Sequence, residues 1–211
     1  DAAVKEYQSL VENNVFGLVE RPSKKNVIKS RWVLAKEFED VVLKKYKGRL
    51  VAKRYSQQPG IDYAATTSAP VVSVLSLCPI LLSLAAGQGL SLSQLDTQTA
   101  FLNGSLTEEL YMEQPEGYCD PEFPDHVWKL RKSLYGVEQS SYCWYANLHE
   151  TFLWEYGFTR SENDGCIYMR KVGDSVTYYV ITIYLEDDIV IASTNDDRTV
   201  AALKKILKNK Y

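Results

Sequence analysis

Paired cysteines, long apolar runs and, over a long central stretch, basic side chains are what this sequence lacks. Its four cysteines, Cys78, Cys119, Cys143 and Cys166, lie far apart with no Cys-x-x-Cys spacing. That pattern argues against a zinc site and against a disulfide framework, and predicts buried or incidental free thiols. Nothing reads as a signal peptide. The longest weakly polar stretch, Val71 to Leu92, is broken by Pro79, several serines, Gly87 and Gly89. Its leucine spacing suits a buried helix rather than a bilayer span, so no membrane partner is expected. From Tyr55 to Trp128 there is no lysine or arginine.

What is present is enough for a substantial core. The chain has 211 residues, 45% of them hydrophobic, which fits one large domain or two small ones. A formal net charge of −3 conceals an asymmetry. Residues 24–54 hold eleven Lys/Arg against three acids, Glu37, Glu39 and Asp40. A basic N-terminal lobe followed by an acidic centre is what an enzyme of nucleic acids or nucleotide polyphosphates needs, with cations for phosphates and acids for metal. A solvated basic face is the simpler alternative for this feature alone.

Periodicity gives the order of elements. Asp1 to Asn13, with Val4, Tyr7, Leu10 and Val11 at helical spacing, predicts an amphipathic helix. Phe16–Val19 and Ile28–Ala35 read as strands separated by an Arg21-Pro-Ser turn. Glu37 to Leu43 reads as the bend of a hairpin whose second strand, Tyr46 to Tyr55, projects Lys47, Arg49 and Lys53 from one face. Gln57 to Pro70 reads as a loop, Val74 to Ala86 as a buried helix that Pro79 would kink if interior, and Leu90 to Leu95 as a strand ending at Asp96. Thr97 to Leu102 starts a helix or tight turn. A short strand follows at Glu109–Glu113, then a loop from Pro115 to Pro124, and Val127–Lys132 reads as strand or turn. Ser140 to Tyr156 is the strongest helix, with Trp144, Leu148, Phe152 and Leu153 in one stripe. Cys166–Arg170, Val176–Tyr184 and Ile189–Ala192 read as strands, and a closing amphipathic helix carries Val200, Leu203 and Leu207.

Asp187 and Asp188 sit between two β-branched runs, Val180–Tyr184 and Ile189–Ala192. The pattern predicts a hairpin with carboxylates at its tip, a rigid support for oxygen ligands of Mg²⁺. A lone pair of this kind is equally a surface turn, so a partner acid is required. Asp96 is the candidate, in Gln94-Leu-Asp-Thr-Gln-Thr-Ala-Phe-Leu-Asn-Gly104. This segment resembles motif A of copia-type retrotransposon reverse transcriptases. Arg31-Trp-Val, Tyr46-Lys-Gly-Arg-Leu-Val-Ala-Lys53, Gln58-Pro-Gly-Ile-Asp-Tyr63, Ala69-Pro-Val-Val72, Tyr111-Met-Glu-Gln-Pro-Glu-Gly117 and Lys132-Ser-Leu-Tyr-Gly136 resemble further family segments in the same order.

The resemblance implies an α+β fold, the right-hand fingers and palm of a polymerase, with an antiparallel palm sheet packed on helices. Fingers would cover about 15–90 and palm about 91–211, with the N-terminal helix alongside and thumb and RNase H absent. It implies RNA-directed DNA synthesis by two-metal nucleotidyl transfer, with Asp96 and Asp187 holding Mg²⁺, or Mn²⁺ in its place. Asp188 would assist, and the Thr97 carbonyl would add a ligand. Lys47, Arg49 and Lys53 would grip the triphosphate of the incoming dNTP. Phe101 would lie under its sugar, where a ring collides with a 2′-hydroxyl, and Tyr135, Gly136 and Gln139 beneath template and nucleotide. Template-primer, dNTP and the other Pol polyprotein domains, integrase and RNase H, are the implied partners. The implied location is cytoplasmic, in a virus-like particle, or nuclear.

Several positions depart from the family pattern. Tyr-Val-Asp-Asp is matched by Leu185-Glu-Asp-Asp188, which adds a third carboxylate that would raise neighbouring carboxylate pKa values by repulsion or misplace the hairpin. Tyr-Gly-Leu-Lys-Gln-Ala-Pro-Arg becomes Tyr135-Gly-Val-Glu-Gln-Ser-Ser-Tyr142, and two basic positions after Pro-Val-Val appear as Ser73 and Cys78. Beside a polymerase domain of intact or lost activity, two readings therefore remain open. One is a non-catalytic nucleic-acid-binding remnant, the other a functionless relic of an insertion.

Overall fold

A computed structural model describes residues 2–39, 41–63, 77–97, 100–162, 165–170, 179–184 and 188–193, with 201, 203–205 and 207. In chain order the elements are α1 (Ala2–Glu12), β1 (Phe16–Val19), β2 (Val27–Ile28), β3 (Ser30–Glu39), β4 (Val42–Ala52), α2 (Leu77–Gln88), β5 (Ser91–Asp96), β6 (Ser105–Glu113), β7 (Val127–Lys132), α3 (Ser140–Glu150), β8 (Thr159–Arg160), β9 (Ile167–Arg170), β10 (Tyr179–Tyr184) and β11 (Asp188–Ser193). Short 3-10 turns cover Arg54–Ser56 and Ala100–Asn103. The chain is α+β and divides into two compact units, Asp1–Thr67 with Phe101–Trp144, and Ser68–Ala100 with Tyr145–Tyr211.

In the first unit, α1 ends in a Schellman closure. Asn14 takes φ 53°, and the N–H groups of Asn14 and Val15 donate to the carbonyls of Val11 (2.9 Å) and Leu10 (3.0 Å). The closure folds Val15 onto Leu10 in the core and releases the chain into β1. Of the predicted helical stripe, Leu10 is buried and Tyr7 packs on the core, whereas Val4 and Val11 are exposed. The face is rotated because α1 lies on β4. Glu6 accepts a hydrogen bond from the Leu50 N–H, and a Cβ on Gly48 would stand 2.9 Å from the Ala2 backbone. Burial raises the Glu6 pKa, with the Leu50 bond opposing it.

β3 and β4 pair from Ser30↔Ala52 to Glu39↔Val42, with an irregularity between Glu37 and Phe38. The predicted bend at 37–43 is thus mostly strand. Gly48, Leu50 and Ala52 are buried, so Lys47 and Arg49 belong to the opposite face, and Lys53 follows just past the strand end. A four-stranded sheet, β1-β7-β6-β2, is antiparallel apart from the β2/β6 pair. Its core holds Ile28, Leu110, Met112, Trp128, Leu130 and Leu134, and Trp128 stacks on Phe16 with ring centroids 3.6 Å apart. Each such side chain contributes about 1.5–3 kcal/mol of burial.

The second unit contains the antiparallel sheet β5-β11-β10-β9-β8. Pro79 falls in the first turn of α2, where its missing N–H costs nothing, so the predicted kink does not arise. Gly89 at φ 63° ends α2, and the Leu90 N–H donates to the Ala85 carbonyl (2.8 Å). Leu82 and Leu84 are exposed while Ala85 is buried. The helix predicted as buried therefore contributes a narrow apolar edge among its described side chains, packed with Leu90 and Ala192. The long helix from Ser140 is α-helical to Glu150 and widens to a π turn over Thr151–Glu155. There the Thr151 hydroxyl donates to the Asn147 carbonyl (2.8 Å), competing with the helix ladder. Residues 194–200, with Val200, lie outside the described residues; 201, 203–205 and 207 are helical, with Leu203 and Leu207 buried.

Candidate functional site

The carboxylates of interest belong to the second unit. β5 and β11 pair antiparallel from Ser193↔Ser91 to Asp188↔Asp96, so the ladder ends on the two aspartates. β10 pairs with β11 on its other side, ending at Tyr184↔Asp188. Directly opposed residues of an antiparallel pair have Cα atoms about 4.5–5.5 Å apart. The apolar runs that make these strands are therefore what bring together two acids separated by most of the sequence between motif and hairpin. Thr97 follows immediately and is buried. Leu185, Glu186 and Asp187 lie outside the described residues.

The remaining candidates belong to the first unit. The Arg49 guanidinium lies over the Tyr135 ring, Cζ 4.4 Å from its centroid, and Tyr135 meets Phe101 edge-on at 4.9 Å. A guanidinium over an aromatic face gains cation–π attraction, and its planar set of donors suits phosphate. Phe101 is buried, and its carbonyl accepts a hydrogen bond from the Ser133 hydroxyl. The Ala52 N–H donates to the Tyr135 carbonyl (2.7 Å). Gly136, at φ 84°, is pressed so tightly on β4 that a Cβ would stand 2.3 Å from the Ala52 oxygen. Only glycine meets both conditions. Lys47 is exposed on β4, and the Lys53 N–H donates to the Lys29 carbonyl (2.7 Å).

Gln139 is 1% exposed, and its amide is engaged within the protein. It accepts from Gln57 Nε2 (3.1 Å) and donates to the Asp62 carbonyl (3.1 Å). Asp62, buried as well, accepts from Asn26 Nδ2 (2.6 Å) and the Gln58 N–H (2.7 Å). Sequence reasoning missed this second layer of Asn26, Gln57 and Asp62. Pro59-Gly60, with Gly60 at φ 77°, signalled the turn that Asp62 closes, but nothing signalled the Gln57–Gln139 pairing. Among the thiols, Cys119 is exposed, and burial pushes Cys143 up to about 11, leaving it a structural thiol.

A profile of the family described as reverse transcriptase (RNA-dependent DNA polymerase) matches residues 13–211. The chain belongs to this family. Similar proteins include the Retrovirus-related Pol polyprotein from transposon RE1 of Arabidopsis thaliana, 39% identical over 197 residues, 92% of this chain and 13% of that protein. The corresponding polyprotein from transposon TNT 1-94 of Nicotiana tabacum is 37% identical over 211 residues, 100% of this chain and 15% of its own length. These are copia-type elements, and the chain is a copia-type reverse transcriptase domain spanning a small fraction of such polyproteins. No helix among the described residues is long and apolar enough to cross a membrane.

Proposed function

We propose that this reverse transcriptase domain carries out RNA-directed DNA synthesis, transferring a nucleotidyl group from a dNTP to a primer 3′-hydroxyl. The observation that carries the reading is the register of Asp96 opposite Asp188 at the end of the β5/β11 ladder. Carboxylate oxygens on paired strand ends are the hard donors that Mg²⁺ takes, so the residues fit the metal. Asp96, Asp187 and Asp188, with the Thr97 carbonyl, would hold it. When bound, Mg²⁺ supplies activation of the primer hydroxyl and neutralisation of charge at the α-phosphate.

In this reading the first unit recognises the nucleotide. Arg49, held by Tyr135, donates to the triphosphate, with Lys47 and Lys53 adding positive charge. Phe101, buried behind Tyr135, would back that ring and in this reading select against a 2′-hydroxyl. Gly136 keeps the turn clear of side chain, and Gln139 supports it from inside. Template-primer and the rest of the Pol polyprotein are the partners in this reading.

Primer extension on poly(rA)/oligo(dT) with dTTP and Mg²⁺ tests the reading, with Asp187→Asn as control. Incorporation abolished by the substitution is expected; incorporation that survives it overturns the metal assignment. Salt-sensitive template-primer binding without incorporation by the unsubstituted chain would replace the enzyme reading with a binding one.

A further inference from the structure

Glu138 stands where the copia-type pattern has the lysine of Tyr-Gly-Leu-Lys-Gln-Ala-Pro-Arg, a change that by itself removes a cation next to the Tyr135–Gly136 turn. In the fold the acid is not left facing phosphates. The Arg54 guanidinium donates through Nε and a terminal nitrogen to both Glu138 carboxylate oxygens, a fork-on-fork pair. That bond holds the Glu138 carboxyl below the usual carboxylate range. Its side chain is 21% exposed against 69% for Arg54, so the acid is the inner partner. The Glu138 N–H is fixed to the same segment, donating to Gln57 Oε1 (2.8 Å). Gln57 in turn reaches Gln139, and Gln139 the Asp62 carbonyl. At the other end, Asn26 Nδ2 donates to the Ser56 carbonyl (2.7 Å) as well as to Asp62. Residues 54–62 are thereby fastened to 138–139, immediately after the turn that carries Tyr135 and Gly136.

We propose that Arg54 and Glu138 are positioning residues: their ion pair clamps the Tyr135–Gly136 turn against β4 and so sets the Arg49–Tyr135 stack for the triphosphate of a deoxynucleotide. The inference rests on the nucleotide role given above to that stack. Charge at position 138 is replaced functionally by geometry, the acid being neutralised by its own chain's arginine. An unusual consequence follows for the family-type residue. Glu138→Lys, which adds a cation near the substrate, sets Lys against Arg54 and releases the turn.

The test uses the 211-residue chain with Glu138→Lys, Arg54→Glu and the double swap of Arg54→Glu with Glu138→Arg, which restores a bidentate pair in reverse. With dTTP and Mg²⁺ in primer extension, each single substitution is expected to raise KM for dTTP about three- to tenfold, with kcat changed less than about twofold. The swap should return KM to within about twofold of the starting value. Amide hydrogen exchange provides a readout independent of activity: exchange at Ala52, which donates to Tyr135, and at Glu138 should quicken in the single variants and slow again in the swap. Unchanged or lowered KM in Glu138→Lys, or a swap that fails to recover, overturns the clamp. If the unsubstituted chain incorporates nothing, the polymerase reading fails on that result alone. The exchange arm then decides the clamp separately, with protection lost and regained supporting it and unchanged protection refuting it.

Discussion

The two units hold their candidate residues by different means. In the second, Asp96 and Asp188 are located by a backbone ladder, six consecutive pairs of which end on them. In the first, Arg49, Phe101, Tyr135 and Gly136 are located by side-chain packing and by buried amides belonging to loops. A ladder fixes where residues stand whatever their side chains are, provided the strands form. A packed turn depends on particular atoms, such as the missing Cβ of Gly136. The aspartate ladder should therefore tolerate neighbouring substitutions that the packed turn cannot.

Gly136→Ala should have the largest effect, confined to the first unit. The added methyl meets the Ala52 carbonyl oxygen at 2.3 Å in a left-handed conformation, and a loss of about 3 kcal/mol or more is expected. Measured by hydrogen exchange, protection should fall in β4 and the 133–139 turn while the β5/β11 ladder keeps its own. Equal loss in both ladders would show that the units do not behave separately.

His149 gives a smaller probe, confined to the second unit. Its Nδ1 lies 2.8 Å from the Tyr168 hydroxyl, and its ring stacks on Tyr145. Burial, with the nearby positive charge of Arg160, lowers its pKa against a weaker opposing pull from Glu150. Burial keeps Tyr168 a phenol, able to donate to the neutral ring. A depressed folded pKa favours the neutral imidazole, so the contribution is full above the unfolded value of about 6.5 and is lost as pH falls through the folded one. Between about pH 7.5 and about pH 5.5 the melting temperature should fall more steeply than in His149→Gln. An identical pH profile in the two proteins would remove His149 from the account.

Much of the strand framework was legible in the sequence because alternation and β-branching act locally. Phe16–Val19, Val127–Lys132 and the strand into Asp96 follow from them directly. The pairing of Asp96 with Asp188 needed the family resemblance, since no local pattern encodes a register between distant strands. Errors fell where tertiary context overrides periodicity. Val4 and Val11 are apolar at helical spacing, yet β4 takes the neighbouring face of α1 through Gly48 and Glu6. The bend expected at Glu37 to Leu43 gave way to strand pairing that continues to Glu39↔Val42. The loss of lysine at Glu138 was readable; its pairing with Arg54, 84 positions away, was not.

Chemistry at the aspartates of one unit and nucleotide recognition by the other would separate in steady-state kinetics. Primer extension over a range of dTTP, comparing Asp96→Asn with Arg49→Ala, measures that separation directly. Asp96→Asn is expected to lower kcat about a hundredfold or more at saturating dTTP, whereas Arg49→Ala is expected to raise KM about tenfold with kcat within about twofold. An Asp96→Asn chain that retains kcat, or an Arg49→Ala chain that loses kcat at unchanged KM, would contradict that separation.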